Sequence, residues 1–222
     1  MFGTPSVILR DRIEAGEKLA AALAQWHGQR PLVLAIPRGA VPIGAIIAER
    51  LGGDLDVVLI RKLGAPGNEE FAIGAVDETG WTYLAPHASS TGATRDYIDR
   101  QVERELETMR TRRAQYTPAR PPLDPQGRIA VVVDDGLATG ATMITALHAL
   151  AAKTPQRLIC AVPVGSHAAV EMVRPHADDV VCLDASYDFF AISQCYRSFP
   201  QVGDDEVVAI LRASTGSAAS AA

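Results

Sequence analysis

The regular alternation of short apolar runs with helix-length segments between Ile129 and Leu183 constrains this chain more than any other feature. Ile129–Val133, Arg157–Val162 and Asp179–Leu183 are strand-length and rich in Val, Ile and Leu. Gly140–Ala152 and His167–Arg174, between them, read as helices. Parallel strands cannot be joined by a tight turn, and a helix is their usual crossover. The expected fold class is therefore α/β, a Rossmann-like parallel sheet with helices on both faces.

Upstream the pattern is looser. Asp11–Trp26 reads as a helix, with Ile13, Ala20, Leu23 and Trp26 as its inner face. Pro31–Ile36 is a short apolar run. Val41–Leu51 reads as a helix with Pro42 in its first turn, ended by Gly52-Gly53. Leu55–Ile60 reads as a second strand, broken by Arg61-Lys62. Leu63–Glu70 holds Gly64, Pro66, Gly67 and Asn68 and reads as a loop. Phe71–Val76 and Trp81–Leu84 are expected to pair as a hairpin around residues 77–80. Thr94–Tyr116 is the longest helix, with Ile98, Val102, Leu106 and Met109 as its apolar stripe and a solvated, ion-paired outer face. Residues 118–125 form a proline-rich connector. Residues 1–212 are expected to make one domain, and 213–222, almost all Ala, Ser and Gly, a disordered tail.

With 222 residues, 48% of them hydrophobic, the chain can bury a real core. Its net charge of -5 argues against a sequence-independent nucleic-acid binder. No window is apolar enough for a membrane helix. The charged first turns of the leading helix (Arg10, Asp11, Arg12, Glu14) do not read as a secretory leader. Cys160, Cys182 and Cys195 form no CxxC pair, which suits reduced thiols in a cytoplasmic protein without a protein-held metal cluster.

In an open parallel sheet, ligands bind beyond the carboxyl ends of the strands. The segments just past the expected strands are therefore informative: Pro37-Arg38-Gly39-Ala40, then Arg61-Lys62, then Asp134–Gly140, then Pro163–Ser166, and last Asp184 with an aromatic-rich stretch. The most specific element is Val131–Thr142, VVVDDGLATGAT. Asp134 and Asp135 are acceptor-only groups at a strand end and suit a vicinal diol such as a ribose 2,3-diol. Gly136, Leu137, Ala138, Thr139, Gly140, Ala141 and Thr142 then open a helix whose unpaired N–H groups form an anion nest, with the two threonine hydroxyls beside it. A diol binder followed by a phosphate binder matches ribose 5-phosphate. The plain alternative is an acidic turn that merely caps the helix. A Walker A loop is excluded because Ala141 stands where it needs Lys, and no GxGxxG is present.

On these residues the chain resembles the type I phosphoribosyltransferases. VVVDDGLATGAT is similar to their signature for phosphoribosyl diphosphate (PRPP), IPRGAVPIG to their pyrophosphate loop, and LIRKLGAPGNEEFAIGAV to their strand, basic pair and mobile loop. With the ending FAISQCYRSFPQV, the likeness runs over most of residues 1–210, towards bacterial members whose acceptor is unassigned. The resemblance implies that family's fold, with a lid hairpin at about 63–84 and a C-terminal hood at about 184–203. It implies Mg2+-dependent transfer of ribose 5-phosphate from PRPP to a nitrogenous acceptor, with release of pyrophosphate, by a cytoplasmic homodimer.

By the same likeness, Arg38, Gly39 and Ala40 form the pyrophosphate loop, and Arg38, Arg61 and Lys62 neutralise the leaving group. Asp134 and Asp135 hold the ribose hydroxyls and meet Mg2+ through water. The lid excludes water. Members acting on hypoxanthine and guanine carry an Asp before the Thr-Gly; here it is Ala138, so no general base is assigned.

Five of the ten Phe and Tyr residues lie in 184–199. Phe189, Phe190 and Tyr196, with Val164, are candidates for an acceptor site on which a flat base stacks; capping the core is the equal alternative. A reading from another class is a PRPP-binding regulator or sensor without turnover. It would need the Asp134–Thr142 loop but no closing lid.

Overall fold

A computed structural model describes residues 8–117, 122–187 and 189–218. Its centre is a five-stranded parallel sheet of β1 (Leu32–Ala35), β2 (Asp54–Val57), β6 (Ile129–Val133), β7 (Arg157–Ser166) and β8 (Asp179–Ser186), in the order β2-β1-β6-β7-β8. Strand side chains alternate between faces, and both faces are apolar. Val33, Ala35, Val131, Val133, Ile159 and Ala161 point to one core; Leu32, Leu34, Ala130, Val132, Leu158, Cys160 and Val162 point to the other. The first core is closed by α1 (Arg12–Ala22), α2 (Val41–Leu51) and α6 (Asp204–Ala218), the second by α4 (Ala141–Ala151) and α5 (His167–Val173). Among the described residues no helix is long and apolar enough to cross a membrane.

A second sheet of three antiparallel strands, β3 (Ile60–Ala65), β4 (Asn68–Asp77) and β5 (Thr82–Leu84), lies between β2 and α3 (Arg95–Tyr116) in the chain. The expected hairpin of Phe71–Val76 with Trp81–Leu84 is present as β4 and β5. Leu63–Glu70 is not a loop: only Pro66 and Gly67 form the tight turn, and Gly64 pairs with Ala72 inside β3 at a shift of register. Arg61 and Lys62 do not follow β2. The apolar run Leu55–Ile60 is two strands, because the chain leaves the parallel sheet after Val57 and re-enters pairing at Ile60. Pro163–Ser166 is likewise strand, since β8 runs long enough to pair with it (Val164 with Asp184, Ser166 with Ser186).

The three-stranded sheet is fastened to the body. Leu63, Ala65, Ile73 and Val76 are buried in one core, and Ala75 in the other. Trp81 stacks on His148 of α4, with ring centroids 3.5 Å apart. A sheet held this way cannot swing as one body without exposing those side chains, so any closing movement belongs to its tip.

Polar contacts also decide helix orientation. On α1 the expected inner residue Ile13 is 54% exposed, and Arg12, Ala15, Gly16 and Leu19 turn inward instead. On α3 the innermost residues are Gln101, Glu105, Met109 and Tyr116, with the apolar stripe Ile98, Val102 and Leu106 only partly covered. The sequence shows α3 as a solvated face because its two most buried polar residues look like surface ones. α6 has no counterpart among the sequence-based expectations, and it runs into the segment whose composition suggests a disordered tail. Part of the proline-rich connector, 118–121, and the last residues, 219–222, lie outside the described residues.

A buried polar clamp ties these layers together. Asp56 of β2 is fully buried and accepts from the backbone N–H groups of Val57 (2.7 Å) and Leu123 (2.8 Å) and from Arg113 of α3 (3.4 Å). Arg113 also donates to the Val57 carbonyl and to Glu78 in the β4–β5 turn. Removing one member of a buried ionic set leaves the others uncompensated. Asp56→Ala is therefore expected to cost about 3 kcal/mol in urea denaturation. A loss below about 1 kcal/mol would show that the clamp is dispensable.

Candidate active site

The strand order reverses between β1 and β6, since β2 lies on one side of β1 and the chain later adds β6 on the other. At such a point the loops leaving the two strands diverge and open a crevice. Here they are Ile36–Ala40 and Asp134–Gly140. The crevice is a cleft of about 520 Å³, and the three-stranded sheet and α3 form its far wall. Arg38, Gly39, Arg61, Lys62, Asp134, Asp135, Gly136, Leu137, Ala138, Thr139, Gly140 and Thr142 all line it, although they come from three separate stretches of chain.

Asp134 and Asp135 stand at the end of β6, whose five residues are all buried. The Asp134 Oδ1 accepts from the Asp135 N–H at 2.8 Å. Asp135 Oδ2 meets the Arg12 guanidinium at 3.0 Å. Burial pushes the Asp134 carboxyl well above the ordinary aspartate range, and repulsion from Asp135 adds to this. Burial also raises Asp135, but the hydrogen bond and charge of Arg12 pull against the shift. Gly39 fits against this pair, because a Cβ at that position would overlap the Asp135 carboxylate. Only glycine lets the β1 loop approach so closely.

The following loop is pinned to β7 by a single parallel bridge: the Leu137 N–H donates to the Val164 carbonyl (2.9 Å) and Ser166 N–H to the Leu137 carbonyl (2.8 Å). The Ser166 hydroxyl donates to the Ala138 carbonyl and also caps α5. Gly140 then turns the chain into α4 with φ +79°, a left-handed conformation that favours glycine. The Ile144 N–H donates back to the Gly140 carbonyl, so the first N–H groups of α4 (Ala141, Thr142, Met143) precede the helical ladder. Ala138 and Thr139 are exposed at the mouth of this nest, Thr142 is half-buried, and Ala141 is buried behind it. Open N–H groups with the positive end of a helix suit a phosphate.

Each cationic residue has a partner or a position. Arg38 meets Asp204 at the start of α6 (3.4 Å), and the buried Tyr116 hydroxyl donates to the same carboxylate. Burial and that acidic neighbour push the Tyr116 hydroxyl up to about 12. Arg61 donates to Glu105 of α3 at 2.6 Å. Lys62 is exposed on the cleft wall, and its charge bears on both aspartates.

Five expectations change. Ala40 caps α2 and is fully buried, so it is not a lining residue. Val164 is buried under the loop that Leu137 pins. Phe189 packs on the core, and Phe190 is 62% exposed but away from the lining. Tyr196 is buried and donates its hydroxyl to the Asp135 carbonyl (2.9 Å). Of the 184–203 segment only Ile192 lines the cleft, among the described residues. Tyr196 supports the acid pair from behind because the chain after β8 folds back along Leu9 and Arg10 instead of arching over the cleft. Sequence reading missed Arg12, Tyr116, Glu105 and Asp204; each looks like an ordinary residue until a distant partner is known.

Asp134 and Asp135 are adjacent hard oxygen donors, the donor type that a divalent cation such as Mg2+ prefers. Among the described residues no three His, Cys, Asp or Glu side chains stand together as a protein cage. Two hard oxygen donors alone suit Mg2+ that brings most of its ligands with a diphosphate.

A family model described as "Phosphoribosyl transferase domain" matches residues 10–198. Two proteins of Mycobacterium tuberculosis, from strains CDC 1551/Oshkosh and H37Rv, each bear the name "Putative phosphoribosyl transferase". They are 40% identical to this chain over 202 residues, 90% of it and 46% of their own length. The chain therefore spans about half the length of the curated relatives it matches. The crystal structure of TT1426 from Thermus thermophilus is 45% identical, with a TM-score of 0.78 over 92% of this chain and 98% of its own. A hypothetical protein from Neisseria gonorrhoeae with bound ppGpp shares the fold alone, with a TM-score of 0.50 at 13% identity over 95% of this chain and 98% of its own.

The acid pair has a consequence for stability. With both carboxyls raised, the folded chain keeps protons that the unfolded chain has released, so ionisation works against folding. That loss is absent below about pH 3.9, the ordinary aspartate value, and grows as pH rises from there through the raised values. Asp134→Asn removes it while keeping the acceptor oxygen for the Asp135 N–H. In buffer without Mg2+ the variant is expected to melt with wild type near about pH 4 and above it at about pH 8. Melting at or below wild type at the higher pH would contradict the burial argument.

Proposed function

The chain belongs to the phosphoribosyl transferase domain family, and from that premise we propose that its cleft binds PRPP and transfers ribose 5-phosphate to a nitrogenous acceptor. The observation that carries this reading is the convergence of two adjacent carboxylates and an amide nest on one cleft, opposite the Arg38-Gly39 loop. The nest at Ala138–Thr142 takes the 5-phosphate. The free lone pairs of Asp134 and Asp135 accept from the ribose 2- and 3-hydroxyls. The diphosphate on C1 then extends toward Arg38, where the close approach permitted by Gly39 brings backbone N–H groups to its oxygens.

The bond from C1 to the diphosphate oxygen breaks, its electron pair leaving with pyrophosphate. The sugar becomes oxocarbenium-like, and the lone pair of the acceptor nitrogen forms the new bond to C1. Arg38 offsets charge that develops on the leaving group, and Arg61 and Lys62 add positive charge from the opposite wall. Asp134 and Asp135 would hold Mg2+ through water, and the ion would supply further charge neutralisation for the diphosphate. Asp204, with Tyr116 behind it, fixes the direction of Arg38. The tip of the three-stranded sheet, around Pro66–Glu69, is the part that closes over the cleft to exclude water. Ala138 offers no base, so the acceptor nitrogen attacks through its own lone pair, and the proton it carries passes to the released pyrophosphate or to water.

The decisive assay incubates the protein with PRPP, Mg2+ and a panel of nitrogenous bases and measures pyrophosphate. Release that depends on an acceptor is expected; tight PRPP binding with no release from any acceptor would make the protein a sensor. Asp135→Asn is expected to weaken PRPP binding by about tenfold or more, far more than it lowers stability, since the amide oxygen still accepts from Arg12. A parallel loss of both would make the acid pair structural. Arg38→Ala is expected to slow pyrophosphate release about 100-fold, and unchanged kinetics would remove Arg38 from the mechanism.

A further inference from the structure

We propose that Arg12 is a positioning residue for the sugar subsite: it holds the Asp135 carboxylate in its receiving orientation and links that orientation to the segment 195–200. This rests on the reading that the cleft takes PRPP.

Arg12 is 123 positions from Asp135 and opens α1. It is 8% exposed and is not among the residues lining the cleft, so it acts through another side chain. Three contacts define its guanidinium. Nη2 donates to Asp135 Oδ2 at 3.0 Å, Nη1 donates to the Pro200 carbonyl at 2.6 Å, and Cζ lies 3.8 Å from the centre of the Phe199 ring. A planar fork stacked on a ring presents its donors to a carboxylate and a carbonyl in fixed directions; the compact, freely rotating ammonium of lysine does not hold that geometry. Nε is buried with no hydrogen-bond partner, so the guanidinium is oriented for its two terminal bonds at the expense of its third donor.

The same segment grips Asp135 from the main chain. Tyr196 donates to the Asp135 carbonyl, and its ring lies against Phe199 at 4.7 Å. The residues leading into α1 are zipped to this segment: Leu9 N–H donates to the Cys195 carbonyl, Arg197 N–H to the Leu9 carbonyl, and Ser198 N–H to the Arg10 carbonyl. Arg12 therefore works from a rigid mount. It engages Oδ2, the oxygen that also lies against Gly39, and leaves Oδ1 to a sugar hydroxyl. A carboxylate without this anchor would rotate about its own side-chain bonds, and the ordering cost would fall on sugar binding.

Calorimetric titration with PRPP and Mg2+, and separately with inorganic phosphate, tests the role. Arg12→Gln is expected to weaken PRPP binding about 10- to 100-fold while leaving phosphate affinity, a readout of the α4 nest, within about twofold. In an Asp135→Asn background the same substitution is expected to add little, because both act through one carboxylate. Should Arg12→Gln fail to fold, Arg12→Lys, which keeps the charge without the fork, carries the same comparison. Equal losses for PRPP and phosphate, unchanged PRPP binding, or fully additive losses in the double variant overturn the role of Arg12 alone. Wild-type protein that binds no PRPP overturns the reading of the cleft, and with it this role.

Discussion

Two neighbouring carboxylates, drawn out of water at the end of a fully buried strand, set the terms for the rest of this structure. Desolvation and mutual repulsion both oppose their ionisation, and the fold counters with one guanidinium from behind, one ammonium across the cleft and a backbone N–H between them. Such a pair is poorly placed for stability and well placed for a ligand that brings hydroxyls and a cation. The neighbouring elements accommodate it. Gly39 is bare because the Asp135 carboxylate occupies the space of a side chain, and α1 turns Ile13 to solvent so that Arg12 faces inward.

The parallel sheet places this pair and the phosphate nest by topology alone. Its reversal of order between β1 and β6 opens the crevice at the one point where two loops can diverge. The second sheet then supplies the far wall. It is held by apolar burial on two sides and by the Asp56–Arg113–Glu78 clamp, which joins β2, α3 and the β4–β5 turn. Rigidity at the base of this sheet and a short turn at its tip are compatible with closing over a ligand without disturbing the core.

Much of this is legible without the fold. The strands and helices of the sheet announce themselves through β-branched runs, Gly and Pro stops and crossover length; α2 begins and ends at the expected residues. VVVDDGLATGAT marks the acid pair and the nest because both functions are built from consecutive residues. Errors arise where a local signal has a non-local answer. Arg61-Lys62 looks like a strand stop and is strand, since pairing with β4 outweighs the charge of two residues whose heads reach the cleft. The aromatic residues after β8 suit a stacking hood and a cap on the core equally, and Phe189 takes the second role. Tyr196 and Phe199 instead brace the acid pair, because the N-terminal segment pairs with theirs.

The amino-acid sequence by itself determined the layered α/β architecture, the edge at which chemistry gathers and the acid-and-nest motif, all properties of hydrophobic period and of side chains adjacent in the chain. Tertiary structure alone decided which charges meet: Arg12 with Asp135, Arg38 with Asp204 and Tyr116, Arg61 with Glu105. Those pairs span tens to more than a hundred residues. A charged side chain carries no mark of its partner, and only the packing of apolar faces brings the two within reach.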